Sequence, residues 1–126
     1  MTSTIYNIAF DCADPYELAR FWADVTGGQL SEEDAPGDPE ASVTLSNGSH
    51  LFFQRVPEPK TGKNRLHLCL RPEQSRDLEV ERLVQRGATV EADHRADHGK
   101  GWMILLDPEG NEFCVLRSGI GRSDAI

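Results

Sequence analysis

An internal repeat with an offset of sixty residues constrains this chain more than any other feature of its sequence. Residues 5–11 and 65–71 both alternate between apolar and polar side chains in the manner of a strand, and each segment leads into a helical pattern. Gly27 and Gly87 end the two helical patterns, again sixty residues apart. The chain is therefore predicted to fold as two copies of one supersecondary module.

The first helix carries the strongest local signals. Asp14 is a suitable N-cap, Pro15 suits the first helical position, and Glu17 completes a pattern like a capping box. Its apolar face has the spacing i, i+3, i+4, i+7 and consists of Leu18, Phe21, Trp22 and Val25. The second helix is predicted from residue 73 or 75 to residue 86, with an apolar face on Val80, Leu83 and Val84 and with Leu78 nearby.

Three further strands are predicted after each helix, so each copy has the order βαβββ. They lie at residues 28–31, 42–45 and 50–56 in the first copy, and at residues 88–91, 102–106 and 112–116 in the second. Residues 32–40 and 93–101 are predicted loops, the second of which holds His94 and His98 as solvated side chains or as part of a lid. The prediction is an α+β fold in a single domain, with one module at 5–57, a linker at 58–64, a second module at 65–117 and a flexible tail at 118–126.

Charge and cysteine content exclude several classes of protein. The net charge of -8 and the pI of about 4.9 disfavour partners such as nucleic acid and anionic membranes. No apolar run approaches the roughly 18 residues of a membrane-spanning helix, and the first residues lack a signal-peptide pattern, which favours a cytoplasmic protein. The 3 cysteines have no C-x-x-C spacing, which favours neither a disulfide framework nor a zinc ribbon.

Strand alternation assigns side chains to the two faces of each sheet. In the first copy Phe10 and Phe53 are predicted to face the helix, which leaves on the opposite face Asn7, Phe52 and Gln54. In the second copy the residues predicted to face the helix are Leu66, Leu68, Leu70 and Phe113. The opposite face of that copy then carries His67, Cys69 and Cys114.

Two short motifs resemble those of one known superfamily. The run Asp107-Pro108-Glu109-Gly110-Asn111 precedes the last strand, and Asp11-Cys12-Ala13-Asp14-Pro15 with Phe21-Trp22 marks the first helix. Together with the tandem βαβββ modules, they resemble the vicinal-oxygen-chelate superfamily of glyoxalase I, the bleomycin-resistance proteins and the extradiol dioxygenases. The bacterial glyoxalase-like proteins of that group are most similar, over about residues 5–117. The resemblance implies a curved mixed sheet around a cavity, helices on its outside, and a homodimer.

The resemblance also implies where a divalent metal would be held. Metal-dependent members place His, Glu or Gln ligands on the first and closing strands of the modules. The corresponding positions here are Asn7, Phe52, His67 and Cys114, with Gln54 as a stand-in for Phe52 if the register shifts. Asparagine is a weak ligand and phenylalanine has no donor atom, so only His67 matches. We therefore expect no cofactor and no family-type metal; a metal enzyme with an atypical ligand set is an alternative.

The expected function is the binding of a small organic molecule in the central cavity, without the usual metal. The predicted ligand contacts mix apolar and polar side chains and are Asn7, Phe52, Gln54, His67, Trp102 and Cys114. An alternative function is that of a glyoxalase-type lyase or isomerase in which His67 is the catalytic acid or base, since imidazoles exchange protons near neutral pH. A purely structural His67, hydrogen-bonded and neutral, is the third interpretation.

Overall fold

The computed structural model describes residues 1–118, and the chain divides into two compact units after Lys60. The predicted tail, apart from Ser118, lies outside the described residues. Each unit consists of one helix and one four-stranded mixed sheet, in the chain order βαβββ. The predicted α+β class and the duplicated module order are therefore confirmed.

The first unit has a four-stranded sheet that contains one parallel strand pair. Its elements are β1 (Asn7–Cys12), α1 (Pro15–Thr26), β2 (Gln29–Leu30), β3 (Glu40–Thr44) and β4 (His50–Arg55). The strand order is β1-β4-β3-β2, with β1 and β4 parallel and the other neighbours antiparallel. The parallel pairing of the first strand with the closing strand is the feature that fixes which side chains share a face.

Local sequence signals account for both ends of α1. Oδ1 of Asp14 accepts a hydrogen bond from the backbone N–H of Glu17 at 3.3 Å, and Pro15 lies in the first turn. The helix ends at Gly27, whose φ of 72° is a left-handed conformation that favours glycine. The buried face packs against the sheet, where the Trp22 and Phe10 ring centroids lie 5.5 Å apart. The core of this unit is therefore aromatic and lies between α1 and the sheet.

The second unit repeats this arrangement. Its elements are β5 (Leu68–Leu70), α2 (Arg76–Gln85), β6 (Thr89–Arg95), β7 (Gly101–Leu106) and β8 (Glu112–Leu116). The strand order is β5-β8-β7-β6, and β5 and β8 are parallel. Neither α1 nor α2, nor any other helix within residues 1–118, is long and apolar enough to cross a membrane.

The buried face of α2 differs from the predicted one. Leu83 is buried as expected, but Leu78 is 55% exposed and Val84 is also exposed. Arg76 and Glu79 are buried instead. The prediction of an all-apolar face was wrong because both charged groups have partners. Arg76 donates hydrogen bonds to the backbone carbonyl oxygens of Gly99 and of Gly101, the first residue of β7, and Glu79 pairs with a neighbouring arginine.

Strand β6 is longer than the sequence predicts. Its pairing with β7 continues to Arg95, so His94 lies on a strand, and of the two histidines only His98 lies in the connecting turn. The predicted loop composition was misleading because β6 is an edge strand, where charged side chains are tolerated. An ion pair of 2.7 Å joins Arg95 to Asp93, and its hydrogen bonds lower the pKa of the Asp93 carboxyl to about 2.

Strand β5 is shorter than predicted. It spans only Leu68–Leu70, and the chain bends at residues 65–66 before it enters the strand. Leu66 was predicted to face the helix but is 89% exposed, because the alternation of faces holds only where the backbone is extended. After the bend, His67 lies directly before β5.

Candidate functional site

A groove lies on the face of the first sheet opposite α1. The register of the sheet places Asn7 beside His50, and Phe52 between Ala9 and Ser42. These neighbours share one face because paired residues in a sheet project to the same side. The groove has a volume of about 550 Å³, and its lining includes Asn7, Gln29, Ser42, Thr44, His50 and Phe52.

The lining of this groove combines polar side chains with apolar surface, part of which comes from Phe52 of the sheet. Phe52 is half-buried and offers an apolar surface. Three carboxylates also line the groove, those of Glu33, Asp34 and Glu40, and none of its described lining residues is lysine or arginine. Asp34 is partly engaged, because its Oδ2 accepts a hydrogen bond from the backbone N–H of Ser42 at 2.8 Å. The groove is therefore suited to neutral or cationic molecules.

Gln54 lies on the predicted face but does not line the groove. Its Nε2 donates a hydrogen bond of 3.0 Å to Oδ1 of Asp11, which is its neighbour across the β1–β4 pair. This contact occupies the amide of Gln54 within the sheet. In contrast, His50 lines the groove although the sequence analysis did not select it. The alternation His50, Phe52, Gln54 along one strand was the signal that could have identified it.

A cluster of one imidazole and two thiols lies in the second unit, on the face of the sheet opposite α2. Nδ1 of His67 is 3.7 Å from Sγ of Cys69 and 3.8 Å from Sγ of Cys114. The three potential donor atoms all lie within 4.8 Å of one another. Cys69 and Cys114 are direct neighbours in the parallel β5–β8 pair, so the backbone register itself brings the two thiols together.

The segment before β5 is held by a reciprocal contact with β8. The backbone N–H of Asn64 donates a hydrogen bond of 3.0 Å to the Glu112 carboxylate. In return, the side-chain Oδ1 of Asn64 accepts a hydrogen bond of 3.1 Å from the backbone N–H of Glu112. Nζ of Lys63 lies 2.6 Å from the same carboxylate. These contacts hold the backbone three residues before His67 against β8, the strand that contains Cys114. The position of the imidazole beside the two cysteines therefore follows from this backbone contact.

The two thiols of the cluster differ in environment. Cys69 is exposed, whereas Cys114 is only 6% exposed. Burial, with a further contribution from the neighbouring Cys69 thiol, raises the pKa of Cys114 to about 11. Without a bound cation, Cys114 therefore stays protonated at neutral pH, and Cys69 is the thiol that reagents in solvent reach.

Trp102 belongs to neither of these two groups of residues. It is 37% exposed and its ring stacks on that of His94, with centroids 5.1 Å apart. This pair follows from the β6–β7 register, which places the two residues directly opposite each other. Trp102 lines neither the groove of the first unit nor the imidazole–thiol cluster.

The predicted family positions do not fit a family-type divalent metal. Phe52 lies on the expected face but offers no donor atom, and Cys114 replaces a carboxylate with a buried thiol. Cys69, which the sequence analysis did not select as a site residue, is the side chain that completes the cluster with His67. Its signal was the spacing of two residues between them, which places both on one face of an extended segment.

Comparisons with known proteins agree with this architecture. A family model described as a glyoxalase-like domain matches residues 7–116. No curated protein matches the sequence. Among solved structures, a glyoxalase/bleomycin resistance protein/dioxygenase family enzyme from Burkholderia phytofirmans PsJN has a TM-score of 0.68 at 19% identity, covering 90% of this chain and 97% of that chain.

Two further solved structures show the same fold. A possible glyoxalase from Bacillus cereus has a TM-score of 0.64 at 20% identity, with coverage of 91% of this chain and 99% of that chain. The fosfomycin resistance protein FosX from Listeria monocytogenes, complexed with Mn(II) and 1S,2S-dihydroxypropylphosphonic acid, has a TM-score of 0.70 at 14% identity, with coverage of 94% and 92%. At these identities the similarity establishes the fold and leaves the ligand and the reaction to the chemistry of the side chains.

Proposed function

The chain belongs to the glyoxalase-like domain family, and on that basis we propose that it binds a small organic molecule in the groove of its first unit. The observation that carries the proposal is the groove itself. Its volume of about 550 Å³ falls within the usual range of ligand sites, and it combines the apolar ring of Phe52 with polar groups such as Asn7 and His50. No metal ligand is required for binding of this kind.

The charge of the lining indicates the class of ligand. Glu33, Asp34 and Glu40 make the groove acidic, so it should select neutral or cationic compounds over anions. An aromatic or aliphatic part of the ligand would pack on Phe52, and a hydrogen-bonding part would reach Asn7 or His50. The expected ligand is therefore a compact amine or a neutral heterocycle.

Replacement of Phe52 by alanine should weaken such binding by at least about tenfold, because the apolar contact of one aromatic ring is lost. The measurement is a protein-detected NMR screen with separate sets of cationic, neutral and anionic fragments. Wild-type protein should show chemical-shift changes at Asn7, Thr44 and Phe52 with the first two sets. A matched control is Tyr16→Ala, which removes a half-buried aromatic ring of α1. Shifts confined to residues outside the groove, or equal losses in both variants, would contradict the proposal.

A second candidate function is favoured by the environment of His67, which is exposed and whose Nδ1 contacts two thiols rather than a carboxylate. In this candidate the protein is a glyoxalase-type lyase or isomerase, and His67 moves a proton of the substrate. If a bound compound is converted, His67→Ala should lower turnover by about 100-fold or more, the usual size of an acid–base contribution. The control is His94→Ala. Unchanged turnover in His67→Ala excludes this role for the imidazole.

The remaining expectations stay predictions. A homodimer and a cytoplasmic location are expected from the family resemblance and from the sequence composition. Exposed apolar side chains near β1, among them Ile5 and Ile8, offer a surface that a second subunit could cover.

A further inference from the structure

We propose that His67, Cys69 and Cys114 form a site for a thiophilic metal ion, best matched by Zn²⁺, which is bound through one imidazole nitrogen and two thiolates. The site lies wholly within the second unit. It differs from the family-type arrangement in its donors, because one ligand, Cys69, lies at none of the family positions. It shares no residue with the groove of the first unit.

The separations between the donor atoms support tetrahedral coordination. Zinc lies about 2.3 Å from a thiolate sulfur and about 2.0–2.1 Å from an imidazole nitrogen. In a tetrahedron these bond lengths require a sulfur–nitrogen separation of about 3.6 Å. The two observed separations from Nδ1 of His67 are 3.7 and 3.8 Å, close to this value, and the two sulfur atoms lie within 4.8 Å of each other.

The type of donor selects the metal. Thiolate ligands favour Zn²⁺, Cd²⁺ and Cu⁺, whereas Mg²⁺ and Mn²⁺ prefer oxygen donors. On binding, Cys69 and Cys114 release their protons to solvent, and the two negative charges neutralise a divalent cation. The nearby carboxylate of Glu112 is paired with Nζ of Lys63 at 2.6 Å.

Three protein donors leave one tetrahedral position open. His67 and Cys69 are both exposed, so the cation and a fourth ligand can arrive from solvent. Three protein ligands with an open position is the pattern of catalytic zinc, whereas structural zinc usually has four protein ligands. We infer that water or a small molecule with a sulfur, nitrogen or oxygen donor occupies this position when the ion is bound.

Titration of the reduced, chelator-treated protein with Cd²⁺ tests the site. The wild type should develop an ultraviolet thiolate-to-cadmium charge-transfer band that saturates at one equivalent, and Mn²⁺ should not compete for it. Cys69→Ser should lower the affinity by at least about 100-fold, since loss of even an outer-shell partner costs 10–100-fold. The matched control is Cys12→Ser, which removes a buried cysteine of the first unit and should leave the titration unchanged.

Cys69 is the preferred variant because it is exposed and its replacement should leave the fold intact. X-ray absorption of the zinc-loaded wild type gives a second measurement, with two sulfur neighbours at about 2.3 Å expected. The absence of a charge-transfer band in fully reduced protein, the same band in Cys69→Ser, or a zinc shell of oxygen and nitrogen alone would overturn the proposal. Phe52→Ala should retain the cadmium band, so failure of groove binding and failure of this site are separable.

Discussion

Replacement of Gly101 by alanine should lower the free energy of unfolding by about 2–5 kcal/mol, through a left-handed backbone and a steric clash acting together. Gly101 has a φ of +82°, and a Cβ there would overlap the backbone carbonyl oxygen of His94. The same atom would lie 2.9 Å from the backbone nitrogen of Ala96. Backbone atoms of a paired strand cannot rotate away, so the start of the β6–β7 pairing would have to open.

Gly99→Ala provides the matched control for this prediction. Gly99 has a similar φ of +76°, but a Cβ there would meet no atom within 4 Å. Its replacement should lower the free energy of unfolding by only about 1–2 kcal/mol, the cost of holding a non-glycine residue in a left-handed conformation. Urea unfolding followed by circular dichroism gives both values. Equal losses in the two variants would show that the clash is relieved and that only the backbone conformation matters.

Replacement of Trp22 by alanine should destabilise the protein by about 3–5 kcal/mol, the usual cost of deleting a fully buried large aromatic side chain. Trp22 is 1% exposed and contacts Phe10 and Phe21 between α1 and the first sheet. Removal of the indole leaves a cavity beside these two aromatic rings. The loss should appear as a shift of the urea midpoint in far-ultraviolet circular dichroism.

The second tryptophan provides the control. Trp102 is partly exposed, and its described ring contact is with His94, so Trp102→Ala should cost about 1 kcal/mol or less. An equal loss in free energy of unfolding for Trp102→Ala and Trp22→Ala would contradict the prediction that the buried core between α1 and its sheet contributes more to stability than the exposed ring. Native-state hydrogen exchange would then show which of the two units loses protection.

The fold could be predicted because the residues that begin and end its first helix act through neighbouring backbone groups. Asp14, Pro15 and Gly27 mark the ends of α1 without help from the rest of the chain. The β6 prediction failed because a polar, charged segment is stabilised as a strand only by pairing with β7, which is a non-local property. The buried Arg76 was missed for the same reason: its carbonyl partners lie more than twenty residues away.

The sites were predictable in part. Alternation predicted His67, Cys69 and Cys114 on one face, and the structure brings their donor atoms within 4.8 Å of one another. The proximity of the two thiols required the register of β5 against β8, which no local pattern specifies. The sequence analysis compared only the family's ligand positions, among which His67 alone matched, so Cys69 was not selected. Cys69, which is paired with Cys114 in the β5–β8 register, is the third potential donor beside His67 and Cys114.

The charged edge strand β6 has a consequence for the behaviour of the protein at high concentration. An unpaired strand edge can recruit the edge of another molecule and start aggregation. Here the ion pair between Asp93 and Arg95 lies on that edge, and the arginine keeps the pKa of the carboxyl at about 2. The edge therefore retains both charges even in acidic solution, where most carboxylates lose theirs. Protection against intermolecular strand addition should persist at low pH, when the net negative charge of the chain no longer keeps molecules apart.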